Sequence, residues 1–413
     1  MIVSRPHFRT LFGLGSVAPI HFLAYFLAGV ATVSLGAVLP QLVKNWSMSD
    51  AQAGFLFSSL FAGSTLGSLV STRKPEWSYP IGCGCCGIAI PLIQSLSIGW
   101  LDVVILLVGI GLGLIINSGN VLVENSAKKE GASGAAALAR VHFAWGLGAI
   151  SCPWIIRPNA LSSVGPSLFL ALFGGVFALL GVFLAWKVRG PLRTSSDEMT
   201  AERRSSFGLK AQFTFALALL LYTGIENSIS GWLPLFVLRI YRGGVPSVAV
   251  TTKAGSLAAL CFTLFWTAHL LGRALLPVAL QLWPEERLLR GTITALLAAV
   301  ILLSILPGRF GERGGVSCIT AAACGLSLAS IYPLLIADLL KQSGDLRPVG
   351  WILACAPLGG AVLPWLSGIV STYTGNIRSA LLQPSIAVAL LLVLAFHLKP
   401  VDGDQAVDRT FRR

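Results

Sequence analysis

Twelve long apolar runs, each closed by a cluster of polar, glycine or proline residues, divide nearly the whole of the 413-residue chain. They read Val17 to Leu42, Ala51 to Val70, Tyr79 to Ile98, Val103 to Val123, Ala136 to Ile156 and Ser167 to Trp186 in the first half. The second half gives Ala211 to Phe236, Gly255 to Leu282, Thr292 to Leu306, Val316 to Leu339, Val349 to Val370 and Ala380 to Leu398. Most reach the ~20 residues a helix needs to cross ~30 Å of hydrocarbon, and only Thr292 to Leu306 is short. The runs are continuously apolar rather than alternating, which predicts helices and not barrel strands. The expected fold is therefore an all-α integral membrane protein of twelve transmembrane helices.

Charge sets the expected orientation. With Arg5 and Arg9 on the cytoplasmic side, 22 of the 30 Lys and Arg residues fall in inside segments and 8 in outside ones, the bias of cytoplasmic loops. Both termini are expected in the cytoplasm, in a multi-pass protein of the cell membrane. The formal charge of +13 is then a topology signal spread over separate loops, so no nucleic-acid partner is expected. The first run is too long for the core of a cleaved leader and is expected to stay as the first helix. All eight cysteines lie inside apolar runs, which argues against an extracellular disulfide framework.

The one sizeable polar stretch, Lys187 to Lys210, reads as a cytoplasmic linker between two six-helix units. The expected divisions are 1–186, 187–210 and 211–398, with a tail over 399–413. The halves repeat. Leu147-Gly148-Ala149 with Pro153-Trp154 in the fifth run matches Leu358-Gly359-Gly360 with Pro364-Trp365 in the eleventh. Gly111-Leu112-Gly113-Leu114 matches Gly325-Leu326-Ser327-Leu328, and the pair Gly29 and Gly36 matches Gly224 and Gly231. Two parallel six-helix repeats make the two pseudo-symmetric bundles of the major facilitator architecture.

The runs GLSLASIYPLLIA, LGGAVLPWLSG, ALARVHFAWGLGAISCP, FWTAHLLGR and GIENSISGWLP together resemble the fucose-permease branch of that superfamily. The branch contains proton-linked fucose and glucose/galactose permeases and sodium-dependent glucose transporters. The resemblance covers essentially the whole membrane domain and implies monosaccharide transport. The chain also departs from the pattern. Ser71 stands where the superfamily's loop carries an acid, Val17 to Leu42 holds no Asp or Glu, Asn117 and Asn120 replace the acid of the fourth helix, and Ala139 replaces a common asparagine. Proton coupling by the family's usual residues is not what these positions support.

An ionisable group in the bilayer interior costs at least ~2.5 kcal/mol and so calls for a partner, water or a task. Glu226, midway along the seventh run, is the one carboxylate placed clearly between the interfaces and is the candidate for binding a coupling cation, H+ or Na+. Glu124 and Asp338 occupy equivalent repeat positions near cytoplasmic helix ends, where Arg140 and Arg347 could pair with them as gates, and Arg273 is assigned to the same network. A sugar needs flat apolar surface for its C–H face and amide, imidazole or hydroxyl groups for its hydroxyls. The candidates are His142, Asn117, Asn120, Tyr25, Trp145, Asn227, Trp232, Trp266, His269 and Tyr332, of which His142 sits where the resembled family carries histidine or glutamine. Trp100, Trp186 and Trp283 read as interfacial anchors.

No phosphate loop or soluble stretch could hold a nucleotide domain, and His21, His142 and His269 lack catalytic spacing, so neither a pump nor an enzyme is expected. The expectation is a monomeric, cofactor-free secondary transporter of a small polar solute, most readily a hexose or deoxyhexose. An exporter of drugs or amphipathic metabolites, and a non-transporting sugar sensor, are the alternatives.

Overall fold

A computed structural model describes residues 19–71, 74–93, 98–129, 134–156, 166–188, 208–242, 248–309, 314–343 and 346–398. Every regular element among them is a helix. In the first half these are α1 (Pro19–Trp46), α2 (Asp50–Ser71), α3 (Pro75–Leu92), α4 (Ile98–Lys129), α5 (Gly134–Ile156) and α6 (Pro166–Val188). The second half holds α7 (Leu209–Arg242), α8 (Val248–Leu282), α9 (Glu285–Ile305), α10 (Gly315–Ala329), α11 (Ile331–Ser343), α12 (Leu346–Thr374) and α13 (Ile377–His397). Ten stretches are long and apolar enough to span a bilayer, α10 and α11 together counting as one. With α3 and α5 this makes twelve spans in an all-α fold.

Two expectations about the spans change. The ninth is a full 21 residues, because Glu285, Glu286 and the rest of a polar first turn belong to the helix. Hydropathy could not see that turn, yet acids at a helix N-terminus are favoured by its dipole. The tenth span is broken at Ser330. Pro333 accounts for the break, since its ring opposes the carbonyl of Ala329 and it donates no N–H.

Packing repeats with a period of six spans. In the first half α1 packs on α5, α2 on α4, and α3 on α4 and α6; in the second, α7 packs on α12, α8 on α10, and α9 on α10 and α13. Glycines explain the closeness. A Cβ on Gly148 would strike the carbonyl of Phe26 on α1, and one on Gly359 would strike the carbonyl of Leu220 on α7. These two glycines are the ones that the internal repeat aligns. Without a hydrophobic drive between helices in lipid, such backbone-to-backbone contact carries much of the association. Outward-facing Leu179 (73% exposed), Val182 and Ile319 form part of the apolar girdle.

The halves meet along α1 with α7, α2 with α12, and α5 with α8. One face of the molecule carries the N-terminal end of α1 and the C-terminal end of α13, and is called the terminal face below. On the opposite face α2 and α12 are clasped. Ser49 and Gln52 form a reciprocal N-terminal cap on α2, with Ser49 N–H donating to Gln52 Oε1 (2.9 Å) and Gln52 N–H to Ser49 Oγ (3.2 Å). That cap fixes Asp50, which is 8% exposed. Arg239 at the end of α7 donates to both its oxygens (2.7 and 2.6 Å), Ser371 of α12 donates to Oδ2 (2.6 Å), and Ala51 N–H donates to Thr372 (2.9 Å). More than two turns further in, Ser58 donates to the carbonyl of Ala361 (2.6 Å).

Candidate solute-binding site

Tyr222 and Glu226 of α7 and His269 and Arg273 of α8 come together because helical spacing puts them on facing stripes. Tyr222 and Glu226 lie four apart on α7, and the Tyr222 hydroxyl donates to Glu226 Oε1 at 3.0 Å. Trp266, His269 and Arg273 follow at three and four on α8, so they share a face. His269 brings Nε2 to 3.4 Å from Glu226 Oε1, and Glu226 keeps 14% side-chain exposure. From α11, just past the break at Ser330, Tyr332 lies 5.3 Å from the Tyr222 ring. Arg273 directs its charge at Tyr222, Glu226 and Tyr332. The structure thus sets Arg273 beside Glu226.

The first half contributes a second polar group. The Tyr25 hydroxyl stands 2.7 Å from Asn120 Oδ1 and 2.9 Å from the carbonyl of Ile116, and its single proton serves one of them at a time. His142 Nε2 lies 3.1 Å from the same Asn120 oxygen. Because an amide oxygen only accepts, that contact assigns the imidazole proton to Nε2. Gly119 is required here, since a Cβ would sit 2.8 Å from the Tyr25 ring.

Two indoles join the groups across the seam. Trp145 of α5 and Trp266 of α8 meet edge to face with centroids 5.5 Å apart, and Trp266 makes a second such contact with His269 at 5.5 Å. Phe262 and Phe265 back Trp266 from its own helix. The arrangement offers an apolar wall with amide, imidazole and carboxylate groups around it, which suits a small polar molecule.

Other candidates stand apart. Asn117 donates to Ser68 Oγ (2.6 Å) and to the carbonyl of Gly113 (3.1 Å), which ties α4 to α2. Asn227 donates to the Thr223 carbonyl of its own helix at 2.8 Å. Trp232 is fully buried and donates to the carbonyl of Pro364 at 3.0 Å, fastening α7 to α12. Near the terminal face Glu124 lies beside Gly134, where a Cβ would meet its side chain at 2.9 Å, and neither Glu124 nor Arg140 is without a partner. Asp338 accepts from Gln342 of its own helix at 2.9 Å. The side chain of Arg347 lies outside the described residues. The sequence analysis missed Asp50, Arg239 and Ser371 entirely. The Ser49-x-x-Gln52 capping pattern is a local signal that could have drawn attention to Asp50, and nothing local marks its partners.

Twelve spans packed as two like sets of six, with ionisable groups buried where the sets meet, define a polytopic carrier rather than an enzyme. The family model described as Major Facilitator Superfamily matches residues 21–345, and the chain belongs to that superfamily of transporters. It is 25% identical over 265 residues to the cyanate transport protein CynX of Escherichia coli (strain K12), a match spanning 62% of this chain and 62% of that protein, less than two thirds of its length. Among solved structures it is similar to a bacterial homologue of the human lysosomal transporter Spinster in an inward-facing, occupied conformation (TM-score 0.68, 17% identity, 96% of this chain and 97% of that one). It is also similar to FucP in the outward conformation (TM-score 0.56, 17% identity, 94% and 100%). The fold is shared with both, so structural likeness does not single out the fucose branch.

Proposed function

We propose that this chain is a secondary active transporter that moves a small hydroxylated solute, of the monosaccharide class, by alternating access with cation coupling at Glu226. The observation that carries the reading is a carboxylate at midspan held by one hydrogen bond from Tyr222 and one imidazole contact from His269. A carboxylate so placed gains a proton or sodium ion at far lower cost than one closed in a full set of donors. Trp145 and Trp266 offer faces for a sugar ring, and Asn120 and His142 offer groups for its hydroxyls. Two of the proteins it resembles also handle small polar solutes, FucP being a fucose:proton symporter and CynX a cyanate transport protein.

With basic residues counted as above, the terminal face is cytoplasmic and the Asp50 clasp lies outside. The state described here is then closed to the exterior. The linker over 187–210 joins the two rocking halves, and one chain holds both of them, so a monomer suffices. The test is uptake of labelled hexoses into proteoliposomes with pH and sodium gradients imposed separately. Gradient-driven accumulation that Glu226→Gln abolishes supports the reading. A wild-type protein indifferent to every hexose but exporting amphipathic dyes would replace it with the exporter reading.

A further inference from the structure

The midspan group leaves buried nitrogen donors without acceptors, and we propose that the solute is a sugar acid, held through its carboxylate by Arg273 and His269. The inference rests on the carrier reading above and narrows its substrate class. Arg273 is a permanent cation with five N–H donors in a planar fork. It takes part in none of the ion pairs that the described residues form within 4.0 Å, and its Nε is buried with no acceptor. His269 is 2% exposed, and its ring nitrogens make no hydrogen bond of good geometry, the nearest acceptor being Glu226 Oε1 at 3.4 Å from Nε2. Trp266 is 3% exposed, and its indole N–H is also buried without one.

On the acceptor side, Glu226 is the carboxylate of the group, and its Oε1 already receives the Tyr222 proton and faces His269 Nε2 at 3.4 Å. The unpartnered hydroxyls of Ser228, Thr263 and Ser330 can play either role, so they do not correct the imbalance. Each hydroxyl of a neutral sugar both donates and accepts, and a site made for such hydroxyls balances the two. A surplus of N–H donors that includes a fixed cation is matched instead by an acceptor-rich anionic group. A guanidinium and a carboxylate form paired, charge-assisted hydrogen bonds, and in a low-dielectric site an unpaired guanidinium is costly. The solute carboxylate would lie against Arg273 and the His269 ring, with its hydroxylated body toward Trp145 and the Asn120 and His142 amide and imidazole.

The experiment is uptake into proteoliposomes of purified full-length protein, with radiolabelled glucuronate and radiolabelled glucose measured side by side and in mutual competition. Wild type is expected to accumulate glucuronate, with glucose competing at least tenfold more weakly. Arg273→Gln is expected to lower glucuronate uptake about 30-fold, and Arg273→Lys less, since an ammonium keeps the charge and loses the fork. Tryptophan-fluorescence unfolding reports whether each variant is folded, and the wild-type competition needs no variant. Uptake of glucose with rejection of glucuronate would overturn the acid inference and leave the monosaccharide carrier standing. Wild-type glucuronate uptake by a folded Arg273→Gln protein overturns the role of Arg273. Uptake of neither sugar overturns the monosaccharide reading together with the acid inference.

Discussion

The charged groups around Asp50 and around Glu226 both bridge helices, and they are built on opposite plans. At the face away from the termini, Asp50 has both oxygens engaged by Arg239, a further hydrogen bond from Ser371, and a capped helix N-terminus beneath it. At midspan, Glu226, His269 and Arg273 stand close but incompletely joined, with nitrogen donors left over. A fully satisfied pair holds one geometry, because every alternative leaves a desolvated charge unmatched. An incomplete group can accept an ion or a solute. The difference separates a latch that joins α2 to α7 and α12 from the group proposed to take up ion and solute.

Breaking the latch is the strongest test of that division. Asp50→Ala leaves Arg239 facing a gap, and since the Arg239 side chain is 35% exposed the loss is discounted from the fully buried case to about 2 kcal/mol, roughly a 30-fold shift toward the opened face. Amide hydrogen exchange in lipid nanodiscs should show faster exchange over residues 50–58 and 361–374. The double exchange Asp50→Arg with Arg239→Asp should restore part of the protection. If the single variant exchanges like wild type, the clasp does not hold this face.

The midspan group is expected to respond in function and not in closure. Glu226→Gln keeps the Tyr222 contact with an amide oxygen but removes the charge, so gradient-driven accumulation should fall by tenfold or more while exchange at 50–58 stays unchanged. A Gln variant that opens the distant face would erase the distinction between latch and site.

The two regions also differ in how far the sequence foretold them. The spans, the repeat and the midspan acid were legible because each rests on local signals. Apolar length gives the helices, and Gly148 and Gly359 do the same work at aligned positions because close helix crossing tolerates no Cβ. Glu226 was legible because a carboxylate in an apolar run is conspicuous. The latch was not. Asp50 and Ser371 are separated by 321 residues, and their meeting depends on how α2 packs across the seam on α12. Asn117, Asn227 and Trp232 show the same limit in reverse, since a polar side chain within a span can satisfy its own or a neighbouring helix as readily as a solute. The break at Ser330 was not expected within the run Val316 to Leu339, although Pro333 is a local signal for it, and the polar first turn of α9 was invisible to a measure that counts only apolar residues.

Removing one indole tests whether the aromatic seam belongs to the site. An edge-to-face pair is worth ~0.5–1.5 kcal/mol beyond its burial. Trp145→Ala should therefore weaken solute affinity by about tenfold at most, read as a raised half-saturation concentration in uptake assays. The clasp should be untouched. Trp145→Phe should recover most of the loss, because a smaller ring still presents a face.

The smallest effect is expected from Ser371→Ala. Arg239 already neutralises Asp50 and takes both carboxylate oxygens, so Ser371 contributes one hydrogen bond to an acceptor whose charge is matched. Losing it should cost about 1 kcal/mol, near a fivefold change in the open fraction. Hydrogen exchange at the outer turn of α12 is the sensitive measurement, since Thr372 next door still receives the Ala51 N–H. An effect as large as that of Asp50→Ala would mean that the serine orients the carboxylate for Arg239, making the latch a three-membered unit in place of an ion pair with a helper. An effect too small to detect would assign the whole closure to the bidentate pair.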